Sequence, residues 1–446
     1  MMFWFCRLRA AAAPWLAVLA LLFIAGCDTS RTGPEIQDTP VPTPQPAPPD
    51  AAALLRAAGT IDLIGGQAMQ PYLPAGAVEA AGAARSDSGR EHAERIAVLL
   101  PRSGKLSYLG KPMLNAAQMA VFDAAGEQFE LLLFDTAGEP DQASEAARTA
   151  IDQGARLIIG PLLAESTRAA APWAQAAGVP MLSFSSDRTV AGNGVFILGF
   201  TPGDQIDRVI QYASARGIGE FAVIAPEDAY GRLVVQAVQD AAARVGGRVN
   251  DVRFVDRDLS GATFAVQAVG SSPTSAVSPV VSPAVSPGTA DRALLIAEGG
   301  ERLRFIAELL QGDGMAPGQV QILGTGTWDE PWISSEPALV GGWFAAPPPR
   351  ARAPFVQNYV RTYGEEPPRL AGLAYDATAL AAIVGRIIGG MDLTADVLTT
   401  PAGFIGSEGI FRFAPSGLSE RGLAVLEVTP QGVTVISDAP QSFVGI

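Results

Sequence analysis

Cysteine and histidine are almost missing from this chain, and both shortages narrow its chemistry. Of 446 residues, two are cysteine, Cys6 and Cys27, and one is histidine, His92. Everything after Cys27 therefore lacks a thiol for a disulfide, a zinc site or a nucleophile. A lone imidazole has no second one with which to share a metal, and no Ser-His-Asp relay can be assembled away from it, so His92 reads as a solvated linker residue. Positive charge is also short. Lys plus Arg number 31 against 45 Asp plus Glu, a net charge of −14, and loss of Arg7 and Arg9 with the first 27 residues takes it to −16. Such a surface repels phosphate backbones and excludes nucleic acid as a partner.

Catalytic signatures are absent as well. No Gly-x-Ser-x-Gly elbow occurs, and Ser103-Gly104-Lys105 fails as a phosphate loop because Leu99 stands where its first glycine belongs and Leu106 follows the lysine. Gly192-Asn193-Gly194 and Gly324-Thr325-Gly326 lack the third glycine of a dinucleotide fingerprint and read as turns. The carboxylate pairs Glu227/Asp228 and Glu365/Glu366 read as solvated loop charges. The expectation is a protein that is not an enzyme and carries no cofactor and no metal.

What is present begins with an address. Arg7 and Arg9 precede an apolar run from Ala10 to Ile24 that closes in Ile24-Ala25-Gly26-Cys27. Small residues before a cysteine form a lipobox, and Cys27 offers a thiol and, after cleavage, an amine for acyl chains that hold a protein stably at a membrane. No later stretch reads as apolar for long enough to cross one. Asp28 resembles the inner-membrane retention signal of some bacterial lipoproteins. Prolines at 34, 40, 42, 44, 46, 48 and 49 follow. Extended polyproline chain over residues 31–50 reaches roughly 60 Å, a stalk that a helical patch from Ala51 to Ala58 and an Ala/Gly-rich stretch lengthen.

From Arg95 short apolar runs alternate with Ala-rich stretches of helical period. Strands are expected at Ile96–Leu100, Phe129–Phe134, Leu157–Ile159 and Pro180–Ser183, with helices at 111–125, 141–153 and 165–177 between them. A second round has helices at 204–215, 231–244 and 302–310, and strands at Phe221–Ala225, Arg248–Val255, Ala293–Ala297 and Val320–Leu323. Two such α/β rounds imply two lobes, each a parallel sheet with helices on both faces, and a cleft where the carboxyl ends of the strands face each other. Pro202-Gly203 suggests a hinge and Gly341-Gly342 a return crossing. Val-Ser-Pro repeats three times between Ser271 and Thr289. Proline at every fourth residue cannot continue a helix or central strand, so this segment reads as a disordered insertion.

Several motifs then point to a family. Pro101-x-Ser103-Gly104, Asp135-Thr136, Ile159-Gly160-Pro161, Gly178-Val179-Pro180, Ala229-Tyr230-Gly231 and Ala374-Tyr375-Asp376-Ala377 resemble, in order and spacing, the type I periplasmic binding proteins of the leucine/isoleucine/valine-binding class. The resemblance implies their two-lobed fold, with lobe 1 at 95–202 and 343–418 and lobe 2 at 203–342 and 419–446, after a signal peptide at 1–27 and a linker at 28–94. Gly160-Pro161-Leu162-Leu163, Phe184-Ser185-Ser186-Asp187-Arg188, Gly342-Trp343-Phe344-Ala345-Ala346-Pro347 and Phe411-Arg412-Phe413 look closer to penicillin-binding protein activators, the LppC-type lipoproteins. That resemblance implies an outer-membrane lipoprotein that stimulates a peptidoglycan synthase. Residues 28–94 are too short and proline-rich for the helical-repeat domain of the best-understood members.

The competing expectation is the substrate-binding protein of an ABC importer, working with a permease on amino acids or related small polar ligands. In amino-acid-binding relatives a serine after the third strand holds the ligand carboxylate and a threonine after the fourth helps hold the ammonium. Those places hold Ala164 and Asp187 here. Ser103, Ser166, Thr167, Ser185, Asp187 and Tyr230 are the candidate cleft residues. The membrane claim has a direct check: Cys27→Ser should move the protein from the membrane fraction to the soluble one, and recovery in membranes at wild-type level would refute lipid anchoring.

Overall fold

The computed structural model describes residues 50–64, 94–125, 129–271, 291–312 and 320–443. The lipobox with Cys27, Asp28, His92 and the three Val-Ser-Pro repeats lie outside the described residues. Lobe 1 is built on β2 (Glu94–Leu100), β3 (Phe129–Asp135), β4 (Leu157–Ile159), β5 (Met181–Ser183) and β6 (Val195–Ile197), all parallel in the order β3-β2-β4-β5-β6, after a short β1 (Ile61–Asp62) described below. The first strand shows why a parallel sheet forms. Its run Ile96 to Leu100 is buried on both faces, with Ile96, Val98 and Leu100 in one core cluster and Ala97 and Leu99 in another.

The helices supply the covers. After α1 (Ala51–Ala58), lobe 1 contains α2 (Ser107–Ala120), α3 (Pro140–Asp152) and α4 (Ala164–Ala177). Ala143, Ala146, Ala147 and Ala150 of α3 recur at helical spacing and are buried with Ala170, Ala171 and Ala174 of α4, small residues that let two helices lie close on one sheet face. Gly178 ends α4 in the left-handed region at φ 67° and turns the chain into β5.

Lobe 2 repeats the plan. It contains α5 (Pro202–Ser214), β7 (Glu220–Pro226), α6 (Ala229–Arg244), β8 (Arg248–Val255), α7 (Ala262–Ser271), β9 (Arg292–Ile296), α8 (Gly300–Gly312), β10 (Gln321–Gly324) and β11 (Trp343–Ala346). The parallel order is β8-β7-β9-β10-β11, the same winding as lobe 1, and β15 (Ala424–Thr429) and β16 (Gly432–Ser437) extend it antiparallel beyond β11.

The chain returns to lobe 1 as α9 (Pro349–Tyr363), α10 (Arg369–Ile388), α11 (Ala395–Leu398) and a small sheet with β12 (Phe404–Gly406), β13 (Gly409–Phe413) and β14 (Ser419–Arg421). Helix α10 is long and apolar enough to cross a membrane, contrary to the expectation that no stretch after the lipobox is, yet it is mostly buried within lobe 1. A helix apolar all round suits a core as well as a bilayer.

Two expected boundaries move. Residues 343–346 belong to lobe 2, because β11 pairs with β10 and β15, and Gly341-Gly342 leads into that strand instead of crossing lobes. Residues 419–421 belong to lobe 1, where β14 pairs with β13. The crossings are thus at 198–201, 347–348 and 422–423. Residues 50–64, expected to be linker, are also part of lobe 1. Strand β1 pairs in parallel with β12, while Leu55, Ile61 and Leu63 enter the lobe 1 core. Apolar residues spaced through this segment had somewhere better to go than water. Leu63→Ala should therefore cost about 2–5 kcal/mol in denaturant unfolding, a loss that a free stalk residue would not produce.

Candidate ligand cleft

In each lobe the strand order reverses between its first and third strands, at β2/β4 and at β7/β9. A doubly wound sheet opens a crevice there, where successive loops leave the carboxyl ends of the strands in opposite directions. In lobe 2 the crevice is a cavity of about 520 Å³ whose wall includes Pro226, Glu227, Asp228 and Tyr230 after β7 and Ala297 and Glu298 after β9. Asp228 accepts a hydrogen bond from the Gly231 amide at 2.9 Å and caps α6. A side chain at Gly231 would meet the Pro226 carbonyl at 1.9 Å, so glycine lets the helix start against the strand end and holds Tyr230 at the cavity.

Hydrogen bonds then fix the wall. Tyr230 Oη lies 3.0 Å from Thr325 Oγ1, which lies 2.9 Å from Thr327 Oγ1, and Thr327 donates to the Glu298 carbonyl at 3.0 Å. Burial pushes the Tyr230 hydroxyl above its ordinary pKa, so it stays a neutral hydrogen-bonding group. Glu298 is buried and receives Arg302 Nε and Nη2 at 2.8 and 2.7 Å. The same guanidinium donates to the carbonyls of Val255, Asp256 and Arg257. Glu298 raises the Arg302 pKa further. This ion pair is saturated, and Arg302 has no free donor for an anionic ligand. Beside it, the Asp256 carboxyl shares a hydrogen bond with Glu227 and raises the Glu227 pKa.

Lobe 1 presents a different face. Thr167 and Ser183 hydroxyl oxygens are buried 2.7 Å apart, with the Leu163 and Pro161 carbonyls as acceptors beside them. Ser185 is buried and its hydroxyl accepts from the Asp187 amide at 3.0 Å. Asp187 caps the short turn Arg188–Val190 through the Thr189 amide and pairs with Arg168 at 3.5 Å. Ser103 serves Asp135: burial pushes that carboxyl up, but hydrogen bonds from Ala137, Ser103 and Arg102 more than offset this and hold it below its ordinary value. Ser166 is buried with no partner for its hydroxyl among the described residues. On the rim, Leu163 is exposed, and Leu106 and Leu163 both lie beside Gly138.

Of the six residues selected from sequence, Tyr230 lines the lobe 2 cavity. Thr167, Ser185, Asp187 and Ser103 are engaged in local structure. Two readings gain a second aspect: Glu227 is exposed in the loop after β7, yet it and Asp228 also line the cavity, and the turn Gly324-Thr325-Gly326 carries the threonine that positions Tyr230. Glu298 and Arg302 were missed, although Glu298 directly follows the apolar run of β9 at the end where ligands gather.

Residues 94–401 match the family model described as periplasmic binding protein. The chain belongs to the periplasmic binding protein family. Its fold is similar to that of the leucine-binding protein LivK of Thermotoga maritima, at 23% identity, a TM-score of 0.57 and coverage of 78% of this chain and 98% of that one. It is also similar to an ABC-transporter solute-binding protein of Rhodopseudomonas palustris solved with 3,4-dihydroxybenzoic acid, at 18% identity, a TM-score of 0.59 and coverage of 78% and 96%. Among curated proteins, an uncharacterized protein of Rickettsia prowazekii is 21% identical over 177 residues, 40% of this chain and about half, 47%, of that relative. As a check on the lobe 1 assignments, Thr167→Val should lower stability by about 1–2 kcal/mol in thermal or denaturant unfolding, because it leaves Ser183 short of a partner. Ligand affinity should be unchanged in the same variant; a selective loss of binding would return Thr167 to the ligand shell.

Proposed function

We propose that this protein is the substrate-binding component of an ABC importer for amino acids or related small polar ligands, working in the periplasm with a permease as partner and anchored through Cys27. The observation that carries this reading is the cavity of about 520 Å³ at the lobe 2 switch point, with Tyr230 fixed in its wall. That volume falls in the range of small-molecule sites, about 300–1,000 Å³. The relatives named above support a ligand role, one described as leucine-binding and one solved with an aromatic acid. Chemistry so varied on one fold leaves ligand choice to the cleft residues. Arg302 is occupied, but Arg257 stands in the same wall as Glu227 and Asp228, so lobe 2 offers carboxylates for the ammonium end of a ligand and a guanidinium for its carboxylate.

A second reading, activation of a peptidoglycan synthase, is favoured by lobe 1. Its hydroxyls are turned inward and Leu163 stands exposed at the rim, a face with few groups for a small zwitterion and some apolar surface for a protein. One experiment separates the two. Calorimetry of the purified protein across the common amino acids and small aromatic acids should find a micromolar ligand, with Tyr230→Ala weakening it about tenfold or more. Silence across that panel, with a peptidoglycan synthase recovered by crosslinking from the native envelope in place of a permease, would establish the activator reading instead.

A further inference from the structure

The turn that leaves β10 carries five consecutive residues, Thr325 to Asp329, and each is tied to a different part of the molecule. Thr325 bonds Tyr230 in the cavity wall, and Thr327 donates to the Glu298 carbonyl. The Gly326 amide donates to Gln205 Oε1 at 2.8 Å, which fixes the turn to α5. Trp328 is fully buried in the lobe 2 core, in a slot left open by two glycines: a Cβ at Gly324 would lie 2.1 Å from its ring and one at Gly342 2.9 Å. Asp329 reaches the other way and pairs with Arg369, the first residue of α10 in lobe 1. Backbone bonds from the Trp328 amide to the Thr325 carbonyl and from the Asp329 amide to the Gly326 carbonyl close the turn. A turn anchored at every residue moves as a unit, and rigid elements of this kind carry coupling between sites.

The lobe 1 end is equally fixed. Glu408, in the turn between β12 and β13, is fully buried and receives Arg369 at 3.2 Å and Arg352 at 3.1 Å. Arg352 also donates to the Pro367 carbonyl at 2.8 Å, and the Arg369 guanidinium lies 5.5 Å from the ring of Phe200 at the first crossing. A second ion pair, Arg350 with Asp438, also joins the lobes, but its side chains are 63 and 71% exposed, against 25 and 20% for Arg369 and Asp329. Water and salt screen an exposed pair, so the pair beside the crossing is the one able to hold lobe against lobe.

We propose that the turn 325–329 couples the lobe 2 cavity to the relation between the lobes, with Tyr230 as its contact at the cavity and the Asp329–Arg369 ion pair as its hold on lobe 1. Whatever displaces Tyr230 moves Thr325, and Asp329 with it, so the tie to Arg369 is strained or relieved together with the cavity wall. Asp329 and Arg369 are therefore positioning residues: they set how lobe 1 meets the cavity without lining it. The inference builds on the ligand reading of that cavity, but its test needs no ligand, so the two can fail separately.

The distance between the lobes in the unliganded full chain is the readout. Cys6→Ser and Cys27→Ser leave the chain without a thiol, so spin labels at Gln142→Cys on α3 and Gln239→Cys on α6, both exposed positions, report one distance between the lobes. Asp329→Asn, which keeps the shape and removes the charge, should broaden or shift that distance distribution by more than about 2 Å. Asp329→Glu, which retains the carboxylate, should keep the wild-type distribution, and so should Asp438→Asn at the exposed pair. Tyr230→Phe, which keeps the ring and removes the bond to Thr325, should change the distribution in the same direction as Asp329→Asn, and the double variant should change it no further than Asp329→Asn alone. A wild-type distribution in Asp329→Asn would overturn the hold on lobe 1, and one in Tyr230→Phe would overturn the coupling. Native protection of the β9 amides against hydrogen exchange checks that each variant is folded, and should Asp329→Asn unfold, Tyr230→Phe decides.

Discussion

A parallel sheet has two faces to cover, and that constraint organises this molecule. Strands such as β2 and β9 are apolar on both sides and are stable only between two layers of helix. Covering both faces makes the chain wind one way from the first strand and then the other, which opens a crevice at the reversal. The cavity beside Tyr230 lies at that reversal in lobe 2. The binding site is thus a by-product of covering a sheet, and its chemistry is set by whichever residues follow the two strands.

Those residues are mostly spoken for. Arg302 spends its donors on Glu298 and on three backbone carbonyls, and the lobe 1 hydroxyls of Thr167, Ser183 and Ser185 satisfy one another or nearby backbone. Buried polar groups are normally paired, and here internal partners meet that demand for these groups, with the Ser166 hydroxyl left over. What is left facing the cleft is of mixed charge on the lobe 2 side, where Glu227, Asp228 and Arg257 stand, and partly aliphatic on the lobe 1 side, where Leu163 does.

The three crossings carry the opposite character. Arg421, Arg369 and Arg352 meet Asp376, Glu408, Asp204 and Asp329 where the two sheets join, and aromatic rings at Phe200 and Phe411 lie against the guanidinium of Arg421. Ion pairs with this much burial gain little net stability over apolar packing but respond strongly to the loss or gain of a single charge. These charges gather near the crossings, whereas the main core clusters of the two lobes are apolar.

By itself the sequence determined the α/β alternation, the two lobes and most strand and helix positions, because period-2 and period-3.6 apolar patterns express local geometry that a reader can count. Tyr230 was also marked, by the resemblance of Ala229-Tyr230-Gly231 to the family, and the structure adds why glycine follows it. Tertiary structure alone decided that β11 joins lobe 2, that residues 50–64 dock on lobe 1, and that the aliphatic helix α10 is a core element. It alone decided, too, which hydroxyls are free and which are bonded, and that Arg352 and Arg369 meet on buried Glu408. The physical reason is common to all of these. Periodicity records which face of a segment is apolar, but partners distant along the chain are chosen by packing, and a charged residue carries no local sign of the neighbour that will compensate it.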